Sequence, residues 1–408
     1  MAELALVLFD DRRARDWMPF ALTRPVGELR FGAFTLRERA ERCLGAKCLG
    51  HLTSEHLAGF DEPDAAPVLR LEDLAHDRAL LYLSSRAVLD FDARPAVDRA
   101  GPLVSVDGEV AGWLQRAGDA PPPPTFIVDP AAQGAGAPAP PADRLPGRLL
   151  RNVWELVTRT PQQVARDIAW LFPTASAAGP PGAHVLGEDR LVLGRGAAVE
   201  PGVVLDLRDG PIWLDEGATV RAFTRLIGPA YIGRNTVVLG GCAVGVSVGP
   251  MCRVHGELEG SVVLGYSNKA HDGFLGHSYV ASWVNLGAMT TNSDLKNNYG
   301  SIHLWTPTGE RDTGELKLGA LLGDHVKTGI GTLINTGTVV GAGSNLFGAL
   351  LPPKYVPPFS WGSGEDLSAY DLDKFLETAA IVMARRDVEL SASHAGMLRR
   401  AYAVGRSE

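Results

Sequence analysis

The stretch that decides the fold is residues 214–250, LDEGATVRAFTRLIGPAYIGRNTVVLGGCAVGVSVGP, in which an aliphatic residue recurs at every sixth position. These residues are Leu214, Val220, Leu226, Ile232, Val238 and Val244. A small or β-branched residue follows each of them four positions later, namely Ala218, Thr224, Ala230, Thr236, Cys242 and Val248. This period fits neither an α-helix nor the two-residue alternation of a simple strand. It predicts short strands joined by tight turns, with the aliphatic residue pointing into a narrow core.

The same register extends in both directions from this stretch. It begins at Leu193, Val199 and Leu205, and it returns as Leu322, Thr328, Ile334, Val340 and Leu346. Glycine makes up 47 of the 408 residues and can supply the unusual backbone angles that tight turns need. We therefore predict a repeat domain over residues 185–350, for which a glycine-rich β-sandwich is the alternative architecture.

This repeat resembles that of the hexapeptide-repeat transferases, whose left-handed parallel β-helix has three hexads per coil and usually forms trimers. The likeness is most specific over residues 264–296. Lys269 to His271, Phe274 to Gly276 and Val284 to Ala288 resemble motifs in the acetyltransferase half of the bifunctional glucosamine-1-phosphate acetyltransferase / N-acetylglucosamine-1-phosphate uridylyltransferase. This chain has one residue fewer before the histidine. The resemblance implies a homotrimer that uses acetyl-CoA as co-substrate.

The resemblance also assigns roles to individual residues. His271 corresponds to the catalytic histidine, and a neutral imidazole is the usual base for deprotonating an amine that attacks a thioester. The positions that correspond to substrate contacts are Lys269, Phe274, Asn285, Asn292, Asp294 and Lys296, and Ala288 corresponds to a cofactor-binding position for acetyl-CoA. Asn285 is equally explained as a turn residue or as part of an asparagine ladder. Ser293 stands where the family has a tyrosine.

The residues around His271 do not determine which acceptor substrate receives the acyl group. His277 is a second candidate for the base or for a substrate ligand. Glu257 and Glu259 replace basic residues of the related enzyme and would repel a phosphate. Either the acceptor has no anionic group at this point, or Arg253 and Lys269 supply the positive charge.

Residues 1–120 mix strand-like and helix-like stretches, which predicts an α/β domain. The segment from Leu8 to Arg37 resembles the N-terminal domain of sugar nucleotidyltransferases that are fused to such a β-helix. In this domain Arg24 and Arg30 are candidates for clamping phosphates, with a surface cation or a helix-end contact as the alternative. Asp10 and Asp11 end the first strand, where ligands gather in α/β sheets, and are candidates for nucleotide or Mg²⁺ binding.

The usual motifs for nucleotidyl transfer are missing from this region. The common sugar nucleotidyltransferases have a glycine-rich loop, a Pro-Lys pair and a metal-binding aspartate after an internal strand. Here that strand ends at Leu83 and is followed by Ser84, Ser85 and Arg86. We therefore expect this domain to be weak or silent in nucleotidyl transfer, and its metal ligands remain unknown.

Composition and periodicity predict the structure of the remaining segments. Residues 121–150 are rich in Pro, Ala and Gly and predict a linker, and residues 151–180 predict a helical bridge with Thr160 as N-cap and Pro161 in the first turn. Residues 290–317 interrupt the hexads and predict a loop, the usual carrier of ligand contacts. Helices are expected over residues 363–402.

Charge and cysteine content limit the functional classes. Lys and Arg total 39 and Asp and Glu total 47, so the net charge of −8 argues against a nucleic-acid partner. The four cysteines are too few for a disulfide framework, which points to the cytoplasm. No stretch approaches the length of a membrane span.

The sequence thus predicts an α/β nucleotidyltransferase-like domain joined to a left-handed β-helix, followed by C-terminal helices. The expected function is acyl transfer from acyl-CoA to an amino-sugar phosphate by the β-helix, with an N-terminal domain that binds or forms a nucleotide sugar. One alternative is a sugar-1-phosphate nucleotidyltransferase whose β-helix serves oligomerisation or regulation. Another is a non-catalytic trimeric scaffold.

Overall fold

The computed structural model describes residues 4–75, 77–91, 93, 101–131, 143–174 and 179–407. Its N-terminal part contains β1 (Ala5–Phe9), α1 (Arg12–Arg15), β2 (Arg30–Phe31), β3 (Phe34–Thr35), α2 (Leu36–Leu44), β4 (Cys48–Leu52), β5 (Leu80–Ser84), β6 (Ala87–Leu89), β7 (Leu103–Val106) and β8 (Glu109–Gln115). It continues with α3 (Pro124–Val128), β9 (Asp143–Leu145), β10 (Gly147–Leu149), α4 (Glu155–Thr158) and α5 (Thr160–Leu171). These elements confirm the α/β class predicted for the N-terminal region.

The central sheet of this region has the strand order β4-β1-β5-β8-β7-β9. Strand β1 lies parallel to both β4 and β5, whereas β8 runs antiparallel to β5. Every residue of β1 is buried, as expected for a parallel strand covered on both faces. Helix α2 begins with a capping box between Thr35 and Glu38 and ends at Gly45, whose φ of 61° is accessible to glycine at little cost.

The segment expected to be a linker, residues 121–150, contributes α3 and the edge strand β9, which pairs with β7. Residues 132–142 of this segment lie outside the described residues. In the bridge that follows, α4 leads almost directly into α5, and Arg159 occupies the cap position. The prediction that Thr160 is the N-cap is wrong, because its hydroxyl donates to the Leu156 carbonyl of the preceding turn at 2.7 Å.

The repeat region forms three sheets along a β-helix, and their strands are parallel except for the last strand of the third sheet. The first sheet contains β11 (His184–Leu186), β14 (Val204–Asp206), β17 (Thr224–Ile227), β20 (Gly241–Val244), β23 (Glu257–Glu259) and β26 (Phe274–Gly276). The second contains β12 (Leu191–Leu193), β15 (Ile212–Leu214), β18 (Ala230–Ile232), β21 (Ser247–Val248), β24 (Val262–Val263), β27 (Tyr279–Val280), β32 (Ala320–Leu322), β35 (Thr338–Val340) and β37 (Tyr355–Val356). The third contains β13 (Ala198–Val199), β16 (Thr219–Val220), β19 (Val237–Val238), β22 (Arg253–Val254), β25 (Asn268–Lys269), β28 (Asn285–Leu286), β33 (Lys327–Thr328), β36 (Asn345–Leu346), β38 (Ser360–Ser363) and β39 (Asp366–Ala369).

From β11 to β28 each coil adds one strand to each sheet, and equivalent residues of successive coils stack on one another. In the third sheet Val220 pairs with Val238, and Val238 pairs with Val254. These residues belong to one buried cluster that runs along the helix axis. Burying each such side chain contributes roughly 1.5–3 kcal/mol, so the repeated aliphatic positions stabilise the coil stack. The parallel β-helix predicted from the six-residue period is confirmed.

The period shortens after Val238. Strand β20 pairs Leu226 with Ala243, and Ala243 rather than the predicted Val244 points into the core. The chain turns in one residue fewer because Gly241, with φ of 89°, approaches the next coil closely. A Cβ at Gly241 would lie 2.1 Å from the Gly256 carbonyl oxygen.

One insertion leaves the β-helix after β29 (Thr291–Asn292), which pairs with β34 (Leu333–Ile334). It carries the antiparallel hairpin of β30 (His303–Thr306) and β31 (Gly309–Asp312), within the segment where the sequence predicts a loop. The chain ends in α6 (Leu372–Ala384) and α7 (Ala392–Gly405), which confirms the C-terminal helices. Among the described residues, none of the helices is long and apolar enough to cross a membrane.

The segment that follows β1 packs against the second sheet of the β-helix. Trp17, Phe20, Val26, Leu29 and Phe31 share a buried cluster with residues of that sheet. The residues contributed by the sheet are Val262, Leu264, Tyr279, Ala281, Leu321 and Val339. The two domains are therefore joined by a continuous apolar interface.

Candidate functional site

A groove of about 550 Å³ runs along the outer surface of the third sheet, at the turns that lead to the first sheet. We call it the histidine groove. It is lined by Leu239, Arg253, Asn268, Ala270, His271, Asn285, Leu286, Gly287, Ala288, Ile330, Arg385 and Arg386. Three residues predicted to act in acyl transfer, His271, Asn285 and Ala288, thus line one cavity.

His271 is exposed on the turn between β25 and β26. Its backbone carbonyl accepts a hydrogen bond from Lys269 Nζ, which also donates to the His255 carbonyl at 3.2 Å. The carboxylate of the neighbouring Asp272 places Oδ1 3.2 Å from Nδ1 of His255. The position of His271 is therefore set through its backbone.

Lys269 is 3% exposed and occupies an inward position of the third sheet, in register with Val254. Burial lowers the pKa of Lys269 to about 8. Its ammonium group is held by two backbone carbonyls at the turn, so this lysine braces the corner that carries His271.

Positive charge in the histidine groove comes from Arg253, Arg385 and Arg386. Arg386 donates from Nη2 to Asn268 Oδ1 at 2.6 Å. Burial and the nearby charge of Arg253 lower the pKa of Arg386. Within the described part of the chain none of the three arginines forms an ion pair with a carboxylate. The sequence analysis identified Arg253 as a source of positive charge but did not identify Arg385 and Arg386. The signal that could have indicated these two residues is the Arg-Arg pair directly after α6.

Asn285 lies on the outer surface of the third sheet beside Asn268 of the preceding coil. Asn268 Nδ2 donates to Asn285 Oδ1 at 3.3 Å, which makes a short asparagine ladder along the groove floor. The exposed amide of Asn285 and the ladder contact exist together, so both sequence interpretations describe part of its environment.

A second cluster lies at the other end of strand β26 from His271, where β26 turns into β27 and the insertion begins. His277 Nδ1 is 2.7 Å from Asp294 Oδ2, and this contact lowers the pKa of Asp294 against the opposing effect of burial. An ionised carboxylate only accepts hydrogen bonds, so Nδ1 carries the proton and Nε2 is the basic nitrogen. Gly260 leaves room for the ring, because a Cβ there would lie 2.8 Å from Nε2.

The other predicted substrate contacts are distributed around this second cluster. The Phe274 ring and Asp294 Oδ2 both lie over Gly276, where a Cβ would come within 2.5 Å of each. Asn292 is buried, and its amide accepts from Gly276 N and donates to Gly276 O, both at 2.9 Å. Lys296 donates to the Ser301 carbonyl within the insertion. None of the four predicted contacts described here, Phe274, Asn292, Asp294 and Lys296, lines the histidine groove.

In the N-terminal domain the end of β1 is occupied by a buried ion pair. Arg86 donates to both carboxylate oxygens of Asp11, which also caps α1 and accepts from Ser84 Oγ at 3.0 Å. This point lies between β1 and β5, where ligands of open α/β sheets normally bind. The pair fills that position with side chains of the protein itself.

The carboxylates at this edge do not suit a magnesium ion. Asp11 is neutralised by Arg86, and Asp10 is buried, which raises its pKa. Asp10 Oδ2 accepts from Thr53 Oγ1 at 2.5 Å and from Val26 N at 3.2 Å. Among the described residues no cluster of three His, Cys, Asp or Glu side chains is arranged to hold a metal ion.

Arg24 and Arg30, predicted to clamp phosphates, both lie between the domains. Arg24 pairs with Asp324 and Glu62, each at 2.9 Å. Arg30 donates to the carbonyl oxygens of Ala33 and Leu264. Both arginines line a cleft between the N-terminal domain and the β-helix.

The structure thus defines a β-helix protein with an α/β domain docked on one sheet. Comparison with known proteins shows that residues 6–174 match the family described as sugar nucleotidyl transferase. A bifunctional sugar-1-phosphate nucleotidylyltransferase/acetyltransferase of Sulfurisphaera tokodaii is 28% identical over 150 residues, covering 34% of this chain and 35% of that protein. The bifunctional protein GlmU of Methanococcus vannielii is 33% identical over 119 residues, covering 29% of this chain and 27% of that protein.

The chain therefore spans about a third of the length of these curated relatives. A solved UDP-N-acetylglucosamine acyltransferase from Campylobacter jejuni aligns with 54% of this chain and 94% of its own, at 16% identity and a TM-score of 0.26. The family match and the names of the two curated relatives, both bifunctional proteins, confirm the predicted resemblance to a nucleotidyltransferase fused to a hexapeptide-repeat domain.

Proposed function

We propose that this protein transfers an acyl group from an acyl-CoA thioester to the amino group of a sugar phosphate, with His271 as general base. The observation that carries the proposal is the histidine groove, where an exposed imidazole lies beside three arginines that have no carboxylate partner among the described residues. A base next to an anion-binding surface is what an amino-sugar phosphate requires.

In the proposed reaction the substrate amine attacks the thioester carbonyl carbon. His271 takes a proton from the amine as the new C–N bond forms, and the C–S bond then breaks. The imidazolium returns the proton to the departing thiolate, so that the free CoA thiol and the N-acyl sugar phosphate leave with the imidazole neutral. The exposed position of His271 lets both substrates reach its ring.

The charge of the groove supports an anionic acceptor. Glu257 lies on the first sheet, and Lys317 Nζ binds Glu259 at 2.7 Å, away from the groove. The repulsion of phosphate that the sequence suggested is thus absent from the described lining of the groove, and Arg253, Arg385 and Arg386 provide the attraction. We assign the phosphate of the acceptor to these arginines.

We propose acetyl-CoA as the acyl donor, with Ala288 leaving space for it, and a homotrimer as the assembly. An exposed apolar ridge of Met289, Ile330, Phe347 and Leu350 follows the same row of turns as His271. A second copy of the chain would cover this ridge and close the histidine groove from the outside. The cysteines, all four described and none in a disulfide, support a cytoplasmic location.

For the N-terminal domain we propose binding of a nucleotide sugar without turnover. The Asp11–Arg86 pair favours this role over the alternative of an active nucleotidyltransferase, because the pair occupies the position where a metal and a triphosphate would meet. A pure scaffold is disfavoured by Arg253, Arg385 and Arg386 beside His271, which form no ion pair with a carboxylate among the described residues.

Thiol release from acetyl-CoA in the presence of glucosamine 1-phosphate and related amino-sugar phosphates tests the proposal. We expect His271→Ala to lower kcat by roughly 10² to 10⁴, the usual worth of a general base, with little change in acetyl-CoA affinity. His277→Ala is the matched control, because the His277 ring lies at the other end of strand β26 from His271. Loss of kcat in His277→Ala alone would move the base to the His277–Asp294 pair.

A further inference from the structure

A cleft of about 270 Å³ separates the N-terminal domain from the β-helix and shares no lining residue with the histidine groove. We infer that it binds a monosaccharide phosphate, with the phosphate on Arg30 and Arg42 and the sugar hydroxyls on Glu38 and Asp215. This would be a second ligand site, formed jointly by the two domains and independent of acyl transfer.

Arg30 is the strongest reason for expecting an anion. It is 4% exposed, and its Nη1 and Nε donate to the carbonyl oxygens of Ala33 at 2.6 Å and Leu264 at 3.4 Å. Its guanidinium lies 5.3 Å from the centre of the Tyr231 ring, and no described carboxylate pairs with it. A buried charge without a counter-ion is costly, and an anion in the cleft would compensate it.

Arg42 brings a second guanidinium to the same cavity. It is exposed, lies over the Phe34 ring at 4.6 Å, and has no ion pair among the described residues. The neighbouring cations differ, because Arg24, Arg37 and Arg234 are each paired with carboxylates. Two unpaired guanidinium groups facing one small cavity suit a phosphate dianion.

The acidic lining indicates what the phosphate is attached to. Asp215 Oδ2 accepts a hydrogen bond from the Tyr231 hydroxyl at 2.8 Å, and Glu38 lines the same cavity. These carboxylates repel a bare anion, but they accept hydrogen bonds from the hydroxyl groups of a sugar. The volume is near the lower end for ligand pockets, so it fits a monosaccharide phosphate better than a dinucleotide.

An ion pair between Arg234 of the β-helix and Asp64 of the N-terminal domain forms part of the lining of the cleft. Both side chains are about half exposed or more. Because exposed pairs contribute little to stability, this contact can open for ligand entry without disturbing the buried interface.

Isothermal titration of the full chain with glucose 1-phosphate, inorganic phosphate and glucose tests the inference. We expect glucose 1-phosphate to bind more tightly than the other two. Arg42→Gln should weaken its binding at least roughly tenfold, the worth of a charge-assisted hydrogen bond. Arg30→Gln should do the same, while Arg195→Gln, an exposed arginine paired with Glu216, should leave binding unchanged.

Binding that survives both Arg30→Gln and Arg42→Gln would overturn the assignment, and so would equal affinity for inorganic phosphate and glucose 1-phosphate. Arg42 lies on the surface, so its variant reports on the site even if Arg30→Gln disturbs folding. Binding lost only in Arg253→Gln would assign the ligand to the histidine groove, which rejects the second site and leaves the proposed acyl transfer standing.

Discussion

Arg24 and Asp324 form a buried ion pair that joins the N-terminal domain to the β-helix, with Nη2 2.9 Å from Oδ1 and each side chain 3% exposed. Asp324 also accepts hydrogen bonds from Thr23 Oγ1 at 2.7 Å and from Ser282 N at 2.9 Å. Glu62 binds the same guanidinium and accepts from Trp283 Nε1 at 3.0 Å. These charges are satisfied when the domains are docked, so the network fixes the orientation that forms the interdomain cleft.

Removing the carboxylate of Asp324 should therefore destabilise the docked protein. We expect Asp324→Ala to lower the free energy of unfolding by about 3 kcal/mol, because breaking a buried pair leaves Arg24 without its main partner. Chemical denaturation measures this change. Asp373→Ala removes the exposed pair with Arg399 and should cost at most about 1 kcal/mol. Equal costs in the two variants would contradict the role of the buried network.

Glu28 should make the stability of the N-terminal domain depend on pH. Burial alone would raise its pKa, but the hydrogen bond and charge of His51, together with Arg37, lower the pKa of Glu28 to about 2 from 4.5. A lowered carboxyl pKa stabilises the fold above pH 4.5, and this contribution disappears as the pH falls toward 2. The contribution is on the order of 3 kcal/mol.

Glu28→Gln should accordingly be less stable than the unchanged protein at pH 7, with the difference shrinking between pH 4.5 and pH 2. Denaturation at a series of pH values measures it, and Glu365→Gln, an exposed glutamate on the β-helix, is the control. A difference that stays constant with pH would show that the His51 and Arg37 contacts do not set the ionisation of Glu28.

The six-residue aliphatic period predicted the β-helix well because the repeated aliphatic residues are themselves the residues that form its core. It did not show that Lys269 and Asn292 occupy inward positions, where their polar atoms bind backbone groups. Turns between Val238 and Leu286 are shortened, so a strict six-residue count loses the register there. Arg385 and Arg386 escaped prediction for another reason, since the docking of α6 beside the groove depends on contacts between residues far apart in the chain.

Lys269 should act as a positioning residue for His271. Lys269→Met keeps a long side chain in the core but removes the hydrogen bonds to the carbonyls of His255 and His271. We expect kcat for acyl transfer to fall roughly 10- to 100-fold through misplacement of the base, with KM for acetyl-CoA nearly unchanged. Lys327→Met is matched to it, because this lysine braces the Trp283 and His325 carbonyls at another row of turns. A similar loss in both variants would point to general destabilisation.

The N-terminal domain should show little or no nucleotidyl transfer. Asp11 is bound on both oxygens by Arg86, and Asp10 is buried against Thr53 and Val26, so neither carboxylate is open to a metal. Pyrophosphate release from the four NTPs, with several sugar 1-phosphates and Mg²⁺ or Mn²⁺, is the measurement. Turnover of about 1 s⁻¹ or more, near the ordinary range of enzymes, would contradict this expectation, and its loss in Asp10→Asn or Asp11→Asn would identify the carboxylate responsible.

The apolar ridge beside His271 should hold the protein together as a trimer. Ile330 is 75% exposed and Met289 is 56% exposed, on neighbouring turns linked by the hydrogen bond from Gly331 N to Ala288 O at 2.8 Å. Apolar side chains this exposed gain free energy when a second copy covers them. Light scattering should therefore report a trimer for the full chain at micromolar concentration.

A charge placed on this ridge should separate the subunits, because burying an unpaired carboxylate costs far more than the apolar contact gains. We expect Ile330→Asp to run as a monomer and to lose acyl transfer, since the histidine groove would then be open on its outer side. Ile381→Asp, at a 64% exposed position on α6, is the control and should remain a trimer. A monomeric unchanged protein would reject the assembly, and an active monomer of Ile330→Asp would show that one subunit forms the complete acyl-transfer site.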